Sequence, residues 1–362
     1  MATGCASFSC IAEKNVFPGT PIQTASGTNI RKREKNMAAE NGEESILNHA
    51  ETLAAPPTPV DKIFDKCFRT LTFVFTWATV LLLAFIVFRI GGQALPAMKE
   101  YGPGLLFSSD WDVNNNQFGI WPQIWGTLYS SLLALVLGGF FGITIAIFLT
   151  QDFLPHKLEM VLKNIVELLA AIPSVVYGLW GIYVLIPLLQ PTADKLHSSF
   201  GWFPLFSTSF SGFGMFSAAL VLSIMILPTI AAISQDALRA VPRRTKEAAF
   251  GMGATRWEAI LRVILPTASG GISGALVLGL GRALGETMAL AMLVGNSATV
   301  SLSLFSPAST LASLLALNFP EADLNQTGVL MYAACTLLLI TLVVNMLGTL
   351  IINTTTTKGG ER

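Results

Sequence analysis

The chain has 362 residues, with 22 Lys+Arg against 22 Asp+Glu and a formal net charge of zero. Hydrophobic residues make up 52% and charged residues 12%, about half of the roughly 25% charged share of an ordinary soluble domain. This composition argues against a water-soluble enzyme, and the missing basic surplus argues against a nucleic-acid binder. The four cysteines, Cys5, Cys10, Cys67 and Cys335, form neither a CxxC pair nor a metal spacing, so free thiols are expected.

Residues 1–60 are polar, lack apolar periodicity and end in the extended linker Ala55-Pro56-Pro57-Thr58-Pro59. A disordered cytoplasmic tail is expected there, ahead of a membrane domain over 61–362. The run Arg31-Lys32-Arg33-Glu34-Lys35 reads as solvated charge. No basic start leads into an apolar run, so no signal peptide is expected. Met37 offers a second start, which N-terminal mass measurement would decide.

A spanning helix needs about 20 mostly apolar residues. Six segments qualify, at about 68–90, 124–149, 161–189, 213–233, 268–294 and 329–352. The fold class is therefore an all-α polytopic membrane protein with six transmembrane helices. Pro173, Pro187 and Pro228 predict kinks or breaks, which a membrane tolerates where neighbouring helices or a wet cavity satisfy the freed backbone. Of the 22 basic residues, 18 fall before residue 70, in 150–163, in 235–262 or after 352. The positive-inside rule then places both termini and these loops in the cytoplasm. His49, His156 and His197 lie outside the spans.

The longest cytoplasmic interruption, 235–266, predicts two short helices joined by an elbow. Pro242 suits a helix start, Gly251 and Gly253 supply a turn, and Thr255 caps a second helix carrying Trp257, Ile260 and Leu261 on one side. Pattern alone leaves open whether this elbow lies on lipid headgroups or docks into a groove of a soluble partner.

Arg282 and Glu286 interrupt the fifth span at a spacing of four, which predicts a shared helix face and partial neutralisation. Ionisable groups inside a membrane line cavities or solute paths, or fix helix packing. An arginine fork binds an oxyanion through two parallel hydrogen bonds, and Thr287 and Asn296 add polar groups nearby. No GxxxxGK[ST] is present, so energy would come from another subunit. Gly279-Leu280-Gly281-Arg282-Ala283-Leu284-Gly285 is one residue too long for a dinucleotide loop and has no strand before it.

Glu247-Ala248-Ala249, then Gly253, then Val263-Ile264-Leu265-Pro266 resembles the EAA signature of ABC importer permeases. That resemblance implies that Glu247, Ala248, Ala249, Gly253, Trp257, Leu265 and Pro266 couple the chain to a separate ATPase. Two further stretches, Glu167 to Gly181 (with Pro173, Ser174, Tyr177 and Gly178) and Gly279 to Asn296, resemble the PstC-type permease of bacterial phosphate importers.

The resemblance covers roughly 61–352 and implies the MetI-like type I permease core in the bacterial inner membrane. It further implies a PstA-like permease subunit, a PstB-like ATPase dimer and a PstS-like phosphate-binding protein as partners. Neither nucleic acid nor a cofactor of the chain's own is implied, ATP being used by the partner ATPase. The implied substrate path comprises Arg282, Glu286, Thr287, Asn296, Ser174 and Tyr177. A permease for sulfate or molybdate, and a proton-coupled transporter using Glu286, stand as alternatives.

Overall fold

The computed structural model describes residues 59–360, apart from 113, 114, 116 and 152. The expectations placed on residues 1–58, including the tail, Met37, His49, Cys5 and Cys10, lie outside that range. Chain contacts divide the molecule into two units, 1–80 and 81–362.

The helices are α1 (Pro59–Tyr101), α2 (Gly104–Phe107), α3 (Trp121–Thr150), α4 (His156–Ala171) and α5 (Ser174–Trp180). They continue with α6 (Ile186–Phe200), α7 (Met215–Arg239), α8 (Arg243–Gly251), α9 (Arg256–Ala259) and α10 (Leu265–Leu284). The last three are α11 (Met288–Leu293), α12 (Leu311–Asn318) and α13 (Leu324–Gly360). Among the described residues there is no strand, only two isolated bridges. Six helical stretches are long and apolar enough to cross a membrane: Pro59–Tyr101, Trp121–Thr150, Ser174–Phe200, Met215–Arg239, Arg256–Leu284 and Leu324–Ile352.

Two expected spans differ. The third was expected over 161–189 with a kink or break at its prolines, and it breaks outright at Pro173, which holds the preceding Ile172 in an extended conformation (ψ 128°), as the proline ring requires. The apolar run therefore splits into α4 and α5. The first part is amphipathic: Lys163 and Glu167 are exposed and lie 3.8 Å apart, and the span begins at Ser174. The fifth was expected over 268–294, but α10 stops at Leu284, three residues intervene, and α11 resumes at Met288. On its other side this span reaches back to Arg256 through a π turn, Ile260–Ile264. Pro266 follows that turn and has no N–H to continue the regular ladder.

α7 is the axis of the larger unit, with Val221, Leu222, Ile226 and Ile230 fully buried. α3 packs along it most extensively, and α10 lies against α7 and α13. Glycines set these approaches, as expected for membrane helices that associate by close packing. A Cβ on Gly138 would lie 2.8 Å from the Ser223 carbonyl oxygen, and one on Gly279 would lie 2.7 Å from Ile230 Cγ1. Similarly, Gly142 faces Ile230, Gly271 faces Ala237 and Gly348 faces Val277. A second apolar cluster (Leu105, Phe118, Ile120, Leu311, Val329) forms apart from the elbow. A third (Ala146, Leu238, Val241, Ile260, Ile264) forms beneath it.

Candidate functional site: a membrane groove and a capped elbow

The elbow is a helix–turn–helix whose two inner ends are satisfied internally. Pro242 stands extended before α8 (ψ 138°). At the other end of α8, the Gly253 N–H donates to Phe250 O (2.9 Å) and the Ala254 N–H to Ala249 O (3.2 Å). This is a Schellman pattern, and it needs a residue with positive φ. Gly253 supplies it at +85°. Thr255 then caps α9: its hydroxyl oxygen accepts from the Glu258 N–H, while Glu258 Oε2 accepts from the Thr255 N–H at 2.9 Å. The capping box satisfies donors that the helix start would otherwise leave open.

Of the elbow residues picked out by sequence, Ala249 is buried and Glu247, Ala248, Gly253 and Pro266 are exposed. Leu265 packs against the apolar cluster below. Trp257 is half exposed and stacks on Phe153, with ring centroids 5.1 Å apart. Trp257, Ile260 and Leu261 do not share one side as expected. Ile260 is buried, whereas Leu261 is exposed with Phe250 and Met252, because successive helical residues point about 100° apart and only the Ile260 flank faces the apolar cluster below. The elbow thus rests on Ile260 and Ile264 and presents apolar groups beside Arg243, Arg244 and Glu247.

In the membrane, Arg282 sits in the last turn of α10. It lines an open groove of about 640 Å³ with Thr229, Gly274, Val277, Leu278, Gly281 and Asn345. Arg282 is exposed within the chain. The expected pairing with Glu286 does not occur: among the described residues the ion pairs are His156–Glu159 and Lys163–Glu167. The reason is local. Gly285 ends α10, so Glu286 does not lie one turn further along the same helix. Instead its Oε1 accepts from the Ala289 N–H at 3.3 Å, serving the first turn of α11. The guanidinium is left without an internal counter-charge.

None of the other path residues lines that groove. The Thr287 hydroxyl bonds to Gly285 O (3.3 Å), and Thr287 lines a separate apolar cavity of about 340 Å³ with Ala312, Leu315, Phe319, Pro320 and Leu337. Asn296 is exposed in the segment after α11, with φ 51°. Ser174 opens α5 just after the Pro173 break. Tyr177 is buried, and its hydroxyl donates to Leu169 O at 2.8 Å, which ties α5 back to α4 across that break. Gly178 lets α11 pack on α5, since a Cβ there would lie 2.7 Å from Met292 Sδ. Two polar groove residues, Thr229 and Asn345, were missed by sequence reasoning. A lone amide inside the apolar sixth span is the signal that could have found Asn345.

Comparison with known proteins places these features in a family. The family model described as binding-protein-dependent transport system inner membrane component matches residues 142–353. The phosphate transport system permease protein PstC of Pasteurella multocida is 39% identical over 305 residues, covering 83% of this chain and 95% of that protein. The Haemophilus influenzae protein of the same name is 39% identical over 293 residues, covering 80% and 93%. A probable PstC of Methanocaldococcus jannaschii is 36% identical over 277 residues, covering 74% and 86%. Among solved structures, a bacterial alginate ABC transporter matches with a TM-score of 0.54 at 19% identity, over 78% of this chain and 94% of that one. The inward-facing MetNI methionine transporter matches at 0.50 and 20%, over 65% and 97%. At these identities the two structures speak to the fold alone.

Proposed function

The chain belongs to the PstC kind of binding-protein-dependent inner-membrane permease, and from that premise we propose how it moves inorganic phosphate into the cytoplasm. The observation that carries the reading is Arg282, a guanidinium with no counter-charge among the described residues, on a groove with largely aliphatic walls. A permanent cation left unpaired in a membrane segment is costly, and an oxyanion taking the two-pronged fork offsets that cost during passage.

The chain works with a PstA-like permease subunit that covers the groove and a PstS-like protein that delivers phosphate. A PstB-like ATPase dimer receives the elbow, so the chain alone hydrolyses no ATP and both its termini lie in the cytoplasm. Closure of the ATPases moves the elbow around Glu247–Gly253. Its seat on Ile260 and Ile264 passes that motion into α10, which carries Arg282. Nucleotide on the partner subunits supplies the differential binding that a two-state cycle requires. Glu286, the residue a proton-coupled transporter would use, is engaged with the α11 backbone, which speaks against that alternative.

The test is reconstitution with these three partners in liposomes, measuring ATP-driven uptake of phosphate, sulfate and molybdate. Phosphate accumulation that needs ATP and all partners is expected. Preferential uptake of sulfate or molybdate, or phosphate uptake without the ATPase, would overturn the reading.

A further inference from the structure

We propose that Thr229 and Asn345 complete the Arg282 site as one oxyanion-binding station, an inference that rests on the phosphate reading above. The register of the helices sets the three side chains level. Gly279 of α10 faces Ile230 of α7, and Gly281 faces Asn345 of α13, where a Cβ would lie 3.2 Å from Oδ1 and 3.7 Å from Nδ2. Thr229 and Asn345 therefore flank Arg282 from the helices on either side of α10. All three line the same cavity of about 640 Å³, between the aliphatic walls of Val277 and Leu278.

Their hydrogen bonding sets them apart from their neighbours. Ser223 on α7 bonds back to Leu220 O, and Thr349 on α13 bonds back to the Asn345 backbone oxygen. The side chains of Thr229, Arg282 and Asn345 have no hydrogen-bond or ion partner among the described residues. Within the chain Arg282 and Asn345 are exposed and Thr229 is half-buried on this open groove. Polar groups left open at membrane depth are costly, so three around one groove mark the place of an occupant that brings its own oxygens.

The donor set fits a tetrahedral oxyanion. The guanidinium grips two oxygens, while Asn345 Nδ2 and the Thr229 hydroxyl donate to the others. Asn345 Oδ1 accepts from a P–OH, which phosphate retains near neutral pH. Gly281, without a Cβ, leaves the amide its place beside Arg282.

The experiment uses the full complex with its partner subunits in liposomes, fed by the binding protein and read with radiolabelled inorganic phosphate. Asn345→Leu is expected to lower uptake roughly tenfold, the loss of one charge-assisted hydrogen bond, and Thr229→Val roughly threefold. Asn345→Asp conserves shape yet is expected to lower uptake about a hundredfold, since the new carboxylate takes the Arg282 fork and repels the anion. All three variants should co-purify with their partners at the wild-type yield. A packing role would instead tolerate the isosteric Asn345→Asp at least as well as Asn345→Leu, and that order would overturn the inference. Wild-type uptake by Asn345→Leu and Thr229→Val, alongside failure of Arg282→Leu, would overturn it and leave the phosphate reading standing. Loss of partner subunits from Asn345→Leu would assign the amide to the subunit contact and overturn it equally. Wild-type uptake by Arg282→Leu would bring down the earlier reading itself.

Discussion

The chain contains two helix interruptions of similar length and opposite construction. At the elbow, α8 and α9 meet through a turn whose backbone groups are matched within the turn by a Schellman pattern and a capping box. At the membrane break, α10 and α11 meet through Gly285–Thr287, where Glu286 serves the next helix and Arg282 is left open. The glycines differ in the same sense. Cβ atoms on Gly251 and Gly253 would meet nothing within 4 Å, and Gly253 is there for its φ of +85°. Gly279 and Gly281 have ordinary helical backbones and are there because Ile230 and Asn345 press on them. A lever that transmits force needs a rigid, self-satisfied turn. A solute station needs close helices and a polar group kept available.

The largest expected effect separates these roles. Arg282→Leu should reduce phosphate uptake by about a hundredfold or more, the scale of losing paired charge-assisted bonds, while the complex assembles normally. Unchanged uptake in the reconstituted complex would erase the contrast.

Next is Gly279→Leu, which drives a side chain into Ile230. Overpacking of this kind costs about 1–3 kcal/mol, and a lowered thermal midpoint of the purified complex should report it. Gly253→Val should lower stability little by crowding but cost roughly 1–2 kcal/mol through its left-handed backbone. Its readout is several-fold weaker ATPase co-purification and uptake. Gly253→Asn should recover most of both, because Asn tolerates that backbone region; no recovery would mean that bulk at this site, rather than φ, is at issue. The smallest effect is expected for Thr255→Ala. Losing the cap costs about 1 kcal/mol, seen as faster amide exchange over Arg256–Ala259 with uptake reduced less than twofold.

Much of the elbow was legible residue by residue, because its determinants are local: Pro242, Gly253 and Thr255 each act within a few positions. The burial of Ile260 but not Leu261 was not legible, since the two flank Trp257 on opposite sides and only non-local packing decides which flank is covered. Similarly, the spacing of four between Arg282 and Glu286 implied a shared face only if the helix continued. Gly285 ended it, and the pair came apart. Pro173 was read as a break, yet the apolar run concealed that the exposed charges of α4 keep that helix apart from the span.

Composition and apolar run lengths by themselves determined a polytopic helical membrane protein, and the order of residues determined the elbow and one intramembrane arginine. These are properties of single segments, decided by burial in lipid and by local backbone geometry. Only the tertiary structure decided which helices share a level. Thr229, Arg282 and Asn345 are dispersed along the chain, and nothing local relates them. Glycine contacts along α10 set the register in which they line one groove, since interhelical register depends on non-local packing that no single segment encodes.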